Sequence, residues 1–329
     1  MRRKLLLLLF ACVLALLAAG VAVAANGGFT PPNAHSPNAH RINDAYYVIL
    51  GFTAFIFVLV EGALILFVVK YRSRGRGRDV EGFQVYGHTR TELIWTAGPV
   101  LILAVIASFV FYKLPGITGV PKANAADQLH ITVEGRQFYW QFTYPNGAVS
   151  IDTMHVPVGE VVRLKVISRD VNHSWWIYEL GGKWDAIPGH PNHTWFQVDT
   201  AGTYEGQCAE LCGLQHAAMR AWVVAEPRAQ YDQWVSAQKQ KLDSSSADLG
   251  REVAQGVCQK CHYFEAKQGV LVGPNLASNS LLTQLSSLTD LVRNGRGRMP
   301  AVGEYWSDGQ IKALVAYFKQ SGGASGGQG

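Results

Sequence analysis

Two apolar runs separated by a short basic loop constrain this chain more than any other feature. Ala45–Val69 (AYYVILGFTAFIFVLVEGALILFVV) and Leu93–Phe111 (LIWTAGPVLILAVIASFVF) each approach the roughly 20 residues that a helix needs to cross a bilayer. The loop between them carries Lys70, Arg72, Arg74, Arg76, Arg78 and Arg90, whereas the short segment before the first run has only Arg41. This asymmetry predicts a transmembrane hairpin with spans at 45–69 and 92–113, a cytoplasmic loop at 70–91, and everything after Lys113 outside the cytoplasm. A pair of buried helices in a soluble core is the competing reading, and the lengths and the basic loop both count against it. Glu61 lies inside the first span, where a carboxylate is costly; it is either a functional group or a hydrogen-bond partner for a neighbouring helix. Glu92 sits at the cytoplasmic mouth of the second.

The start, MRRKLLLLLFACVLALLAAGVAVAANGG, reads as a signal peptide over residues 1–25: basic residues, an apolar run, then Ala22-Val23-Ala24. An uncleaved anchor and a lipoprotein-type site at Cys12 are the alternatives. Each leaves the segment 26–44 extracytoplasmic. The length of 329 residues suits two or three domains, and a net charge of +5 is too modest to suggest a nucleic-acid partner.

From 127 to 227 the pattern becomes β-like. LHITVEGRQFYWQFTYP, DTMHVPVGEVVRLKVISRD and RAWVVAEP are rich in β-branched and aromatic residues, and Gly/Pro-rich turns separate them. Many short strands at regular spacing predict an all-β sandwich. A polar stretch over 228–248, ending in KLDSSSAD, reads as a short helix and then a linker. Helical patterns follow over 249–321, a small all-α domain, with Ser307 placed to cap the last helix and Ile311, Leu314, Val315 and Phe318 on one face. The tail 322–329 is expected to be disordered.

Of the five cysteines, Cys12 lies in the targeting segment and the others form two tight pairs. Cys258 and Cys261 belong to CQKCH, the C-x-x-C-H signature of covalent c-type haem. Two thiols add to the haem vinyl groups, and the adjacent His262 is held beneath the iron. A redox dithiol or half a zinc site is the alternative, but a redox dithiol does not need the following histidine, and no second cysteine pair lies in this domain to complete a zinc site. Met299 is the only methionine after His262, and a Met/His pair suits an electron carrier.

The other pair lies in GQCAELCGLQHAAM, which packs Cys208, Cys212, His216 and Met219 into one segment. Thiolate and imidazole select copper, zinc or iron–sulfur clusters. A mononuclear blue copper site has one cysteine, so two cysteines at this spacing suggest sulfurs bridging two metals. Structural zinc would not need Met219. A second histidine must come from His130, His155, His173, His190 or His193, and local chemistry alone does not choose among them.

Taken together, DVNHSWW, KWDAIPG, GQCAELCGLQHAAM and ELIWTAGPV resemble subunit II of cytochrome c oxidase. The C-terminal CQKCH, GPNL and MP segments resemble class I cytochrome c, as in the caa-type branch. The resemblance runs from about Ala45 to the end. It implies a cupredoxin sandwich with a binuclear copper A centre held by His173, Cys208, the Glu210 carbonyl, Cys212, His216 and Met219. It implies haem c bound through Cys258 and Cys261, with His262 and Met299 axial and Pro274 near the imidazole. The Glu210 side chain would face the catalytic subunit, where relatives bind magnesium. Glu92 matches the entrance of a proton path, or is simply a carboxylate at a helix start.

One departure is informative. The family has tryptophan where GRQFYWQF has Phe138, and that tryptophan receives electrons from a separate cytochrome c. With Tyr139 and Trp140 beside it, this stretch is the expected electron-entry surface, here facing a tethered haem domain at an effective concentration of about millimolar.

The implied function is electron entry to a respiratory terminal oxidase that reduces oxygen to water with proton translocation. The implied partners are subunit I, subunit III, and a quinol–cytochrome c reductase or a cytochrome c as donor. The implied location is the bacterial inner membrane, multi-pass, with both termini and the metal domains outside. A copper A-containing nitric oxide reductase subunit and a non-catalytic membrane-anchored metal-binding module are the rival readings.

Overall fold

A computed structural model describes residues 30–72, 84–121, 128–264, 271–277 and 279–324. The predicted signal peptide, Cys12 and the central arginines of the basic loop lie outside the described residues. The chain divides into two units, one made mainly of residues 40–119 and one of 33–39 with 120–329.

The first unit contains nearly all of α1 (Pro37–Tyr71) and the whole of α2 (Thr89–Thr118). Each outruns its apolar segment because the flanking residues cap it. At the start of α1, Ser36 Oγ accepts the Ala39 N–H at 3.1 Å and Pro37 takes the first helical position, where no amide hydrogen is needed. At the start of α2, His88 Nδ1 accepts from the Thr91 N–H at 3.3 Å while Glu92 Oε1 accepts from the His88 N–H at 3.0 Å. This is a reciprocal cap with histidine in the place of serine. Apolar side chains such as Phe55, Leu66, Leu101 and Phe111 are exposed, and the apolar core of each helix has no buried residue, as expected of helices whose solvent is lipid. Lys113 pairs with Asp44 at 2.7 Å and Arg41 donates to the Gly116 carbonyl at 2.8 Å, joining the two helices at one end.

The second unit opens with a sandwich of ten strands: β1 (Gln128–Arg136), β2 (Tyr139–Thr143), β3 (Val149–Ile151), β4 (Thr153–Pro157), β5 (Val161–Ser168), β6 (His173–Ile177), β7 (Trp184–Ala186), β8 (Asn192–Gln197), β9 (Gly202–Cys208) and β10 (Arg220–Glu226). They form two five-stranded sheets, β3-β2-β1-β5-β8 and β4-β10-β9-β6-β7. Alternation is clean in β10, where Ala221, Val223 and Ala225 are buried and the residues between them are partly exposed. Ile131, Val133, Phe142, Met154, Leu164 and Ile177 fill the space between the sheets. Strands β6 to β9, which sequence patterning left as turn-rich connections, complete the second sheet and carry two of the cysteine–histidine set.

The stretch after the sandwich corrects the expectation of a flexible tether. Helix α3 (Arg228–Asp243) runs through most of it and packs on the sandwich. Trp234 stacks on His155 at 3.9 Å and 9° and meets Tyr144 edge-on, while Gln238 donates to the Val149 carbonyl at 2.9 Å. The segment is polar mainly on its outer face, and Tyr231, Trp234 and the buried Gln238 are what anchor it. Only Ser244–Ser246 separate α3 from α4 (Ala247–Gly256). Then come α5 (Leu285–Asn294) and α6 (Asp308–Ala324). Ser307 and Gln310 form a capping box, with the Gln310 N–H on Ser307 Oγ at 3.3 Å and the Ser307 N–H on Gln310 Oε1 at 3.0 Å. Ile311, Leu314, Val315 and Phe318 are buried together. The last helix continues to Ala324, past the boundary expected at 321; 325–329 lie outside the described residues.

Candidate metal centres

Strand β9 ends at Cys208, and the loop to β10 returns through Cys212, His216 and Met219. His173 opens β6, which pairs with β9. This topology brings the soft donors together at one end of the sandwich. The ligand atoms of His173, Cys208 and Cys212 all lie within 4.8 Å of one another and all three residues are buried. The two sulfurs are 3.9 Å apart, Cys208 Sγ is 3.9 Å from His173 Nδ1 and 3.2 Å from the Glu210 carbonyl oxygen, and Cys212 Sγ is 3.5 Å from His216 Nδ1 and 3.9 Å from Met219 Sδ. Met219 is fully buried. The other upstream histidines are elsewhere: His130, His190 and His193 are exposed and His155 is stacked under Trp234. The open choice among five histidines therefore falls on His173. Two thiols, two imidazoles and a thioether, all but the half-buried His216 out of solvent, fit a thiophilic, redox-active metal.

The electrostatics favour metal uptake. Cys208 ionises readily, its pKa pulled down to about 3, chiefly by the Cys212 S–H and then by His173. The resulting thiolate pushes Cys212 up. A bound cation takes over the charge that the second proton otherwise offsets. Burial pushes His173 down, but the Asp170 carboxylate and then Cys208 outweigh it, and the net direction is up. Asp170 Oδ1 lies 2.7 Å from His173 Nε2, which aims Nδ1 at the sulfurs. Asp170 Oδ2 accepts the Gln137 N–H at 2.7 Å, and Gln137 Nε2 donates to the Cys212 carbonyl at 2.7 Å. Gly135 leaves room for this arrangement, since a methyl group there would meet the His173 and Trp140 rings at 3.0 Å.

The haem-type motif is built differently. Cys258–Lys260 forms a 3-10 turn after α4, and the His262 N–H bonds the Cys258 carbonyl at 2.9 Å. Burial pushes both thiols up, Cys258 to about 12, so they rest as neutral S–H groups. His262 is buried, with Nδ1 at 2.7 Å from the Pro274 carbonyl. That oxygen can only accept, so Nδ1 carries the proton and the Nε2 lone pair is free for a metal. Gly273 lets the loop close over the ring. Met299 lies in a tight turn paired with Arg296.

Family models match three stretches: cytochrome c oxidase subunit II transmembrane domain over 24–112, the subunit II periplasmic domain over 148–226, and cytochrome c oxidase, cbb3-type, subunit III over 245–318. Cytochrome c oxidase subunit 2 of Alkalihalophilus pseudofirmus is 36% identical over 251 residues, 72% of this chain and 71% of that protein. The chain belongs to the cytochrome c oxidase subunit II family. The subunit 2 of Thermostichus vulcanus is 30% identical over 252 residues, 62% of this chain and 76% of that protein. The crystallised periplasmic domain of subunit II from Bradyrhizobium japonicum is 34% identical, covers 37% of this chain and 98% of that one, and has a TM-score of 0.35.

As a subunit II with a fused cytochrome c domain, the chain is a membrane-anchored oxidoreductase subunit with an extracytoplasmic cupredoxin sandwich. Copper and haem are the groups these families imply, and the two donor sets fit them.

The electron-entry stretch is not an open surface. Tyr139 and Trp140 are fully buried, Tyr139 beneath the C-terminal domain and Trp140 edge-on to the His173 ring at 5.9 Å. Phe138 is half-buried, and Gly213 beside Cys212 is the residue its ring covers. The Glu210 side chain is about half exposed and lies 3.5 Å from Lys183. Glu92 caps α2, and Glu61 lies in α1. Sequence reasoning missed Asp170. The Asp three residues before His173 in DVNHSWW was the available signal, since a metal-bound imidazole needs a partner for its other nitrogen.

Proposed function

We propose that the chain is the electron-entry subunit of a caa-type terminal oxidase in the bacterial inner membrane, with both termini and the metal domains outside. When bound, haem c and a binuclear copper A centre supply reversible one-electron carriers that link a cytochrome or quinol–cytochrome c reductase donor to oxygen reduction and proton translocation in subunit I. His173, Cys208, the Glu210 carbonyl, Cys212, His216 and Met219 would hold the copper pair. Cys258 and Cys261 would anchor the haem, and His262 and Met299 would supply donors to its iron. The observation that carries the reading is the convergence of two sulfurs 3.9 Å apart with an imidazole on each. One thiol would meet the needs of a single blue copper; a second thiol beside it would let the set hold two coppers. The sandwich keeps these side chains in place through Asp170, Gln137 and Gly135, so little has to move when charge arrives. The Glu210 carboxylate would meet subunit I, with magnesium between them, and Glu92 would admit protons beneath. Subunit III completes the complex.

The test is metal analysis and visible spectroscopy of the purified complex. Two coppers and one covalent haem per chain support the reading; zinc in the sandwich, or haem removable by acid acetone, overturns it. Gas-uptake assays on the same complex distinguish oxygen from nitric oxide as the acceptor.

A further inference from the structure

Strand β2 presents Tyr139 and Gln141 on the outer face of its sheet, where side chains would ordinarily meet water. Both are buried, and what covers them is the C-terminal domain. Tyr139 Oη donates to the Val302 carbonyl at 2.6 Å and accepts from Trp306 Nε1 at 2.9 Å. Gln310 Nε2 donates to Gln141 Oε1 at 3.0 Å. The Arg136 and Arg169 guanidinium groups lie over the Tyr305 ring, 4.6 and 4.8 Å from its centre, and Glu134 holds both arginines. In the turn between β3 and β4, Asp152 forms an ion pair with Lys260, one of the two residues between the cysteines of CQKCH.

That pair is the most demanding contact of the set. Its side chains are 8% and 11% exposed. Burial pushes the Asp152 carboxyl up, and Lys260 is the charge that opposes this. Asp152 sits at a φ of 58°, a left-handed position that aspartate tolerates better than most residues. It is fixed there by the Trp140 N–H on Oδ1 at 2.9 Å and by its own N–H on the Trp140 carbonyl at 2.8 Å. The receptor is therefore formed within the sandwich before the lysine arrives. A buried carboxylate without its cation is strongly disfavoured, so the contact selects one pose rather than a range of them.

The geometry points to Asp152 and Tyr139 as a docking receptor that locks the cytochrome domain in a single pose, with Lys260 as its pin. This deepens the proposed function and rests on it for its purpose. The receptor grips CQKCH, which would hold the haem, and the Val302–Trp306 segment, which follows closely on Met299. Its other side is Trp140, which touches the His173 ring. One set of contacts thus sets the separation and orientation of the two proposed carriers, and fixed geometry is what an intramolecular transfer gains from. Asp152, Tyr139 and Lys260 are positioning residues in this scheme. Because the pair is buried, added salt should weaken it little.

The experiment is hydroxyl-radical footprinting of Tyr139 in the full-length holoprotein, comparing wild type with Lys260→Met, Asp152→Asn and the double variant. The wild-type side chain should be protected. Each single variant should raise its labelling rate by roughly a hundredfold, or to the rate of an exposed tyrosine, because each breaks a buried pair. The double variant, which leaves no unpaired charge, should recover most of the protection, a rescue that two independent structural roles would not give. Asp152→Asn lies away from the cysteines, so it still reports if Lys260→Met loads haem poorly. Haem-to-copper transfer should be independent of solvent viscosity in wild type and become viscosity-dependent in the single variants. Unchanged Tyr139 labelling in both single variants would overturn the proposal. Metal analysis of the same samples tests the copper and haem reading separately, since docking is read without either.

Discussion

Replacing Gly273 with alanine tests how tightly the haem-type site is built. The added methyl carbon would lie 2.3 Å from His262 Cε1, 2.6 Å from Nδ1 and 2.9 Å from Nε2. Ordinary contact begins at 3.4 Å, so the ring or the loop must yield by 3.4 − 2.3 = 1.1 Å at the closest atom. The ring has little freedom to do so, because its Nδ1–H is bonded to the Pro274 carbonyl at 2.7 Å, one residue along the same loop. The loop is held in turn by the Gly273 N–H on the Cys261 carbonyl at 2.7 Å. Overpacking costs about 1–3 kcal/mol, and losing the histidine–carbonyl bond adds about 1 kcal/mol. The expected destabilisation of the C-terminal domain is therefore about 2–4 kcal/mol. The assays are denaturant unfolding followed by Trp306 emission, and the visible spectrum of the loaded domain. The spectrum should show a weakened or displaced axial imidazole. A variant with wild-type midpoint and spectrum would refute the reasoning, because it would mean the glycine is not there to admit the ring.

Three further outcomes follow from the sandwich and the hairpin. Asp170→Asn should leave the fold intact but lower metal affinity about 10–100-fold in competition with a chelator, because His173 loses the carboxylate that orients it. Met219→Leu should cost less than about 1.5 kcal/mol of stability, being close in volume, while changing the copper optical spectrum; an unchanged spectrum would remove Met219 from the ligand set. Lowering pH should weaken metal binding by the sandwich. Metal displaces the proton that the thiolate at Cys208 holds on Cys212, and raising proton concentration works against that displacement. Titration should show protons released on copper uptake, and the absence of release would contradict the shared-proton picture.

What could be read along the chain and what could not divide by the range of the interactions. CQKCH, the Cys208–Met219 cluster and the Ser307 cap are local patterns whose chemistry fits within one or two turns. The apolar runs announced their helices, although the ends shifted outward to Ser36 and His88, where short-range caps decide. The choice of His173 needed the pairing of β6 with β9, which no local spacing encodes. The cover over Tyr139 has a similar origin. Period-two alternation assigns Trp140 inward and Tyr139 outward, but only the tertiary structure reveals a second domain waiting on the outer side. The stretch over 228–248 is polar enough to suggest a tether, and its packing depends on Tyr231 and Trp234 finding Tyr144 and His155 some eighty residues earlier in the chain.

The central claim is a pair of coppers sharing Cys208 and Cys212, and electron paramagnetic resonance of the oxidised protein tests it most directly. The account predicts a hyperfine pattern from one unpaired electron spread equally over two copper nuclei, lost together with the bound copper in a Cys212→Ser variant. A pattern from a single cupric nucleus, or a silent spectrum with stoichiometric zinc, would contradict it.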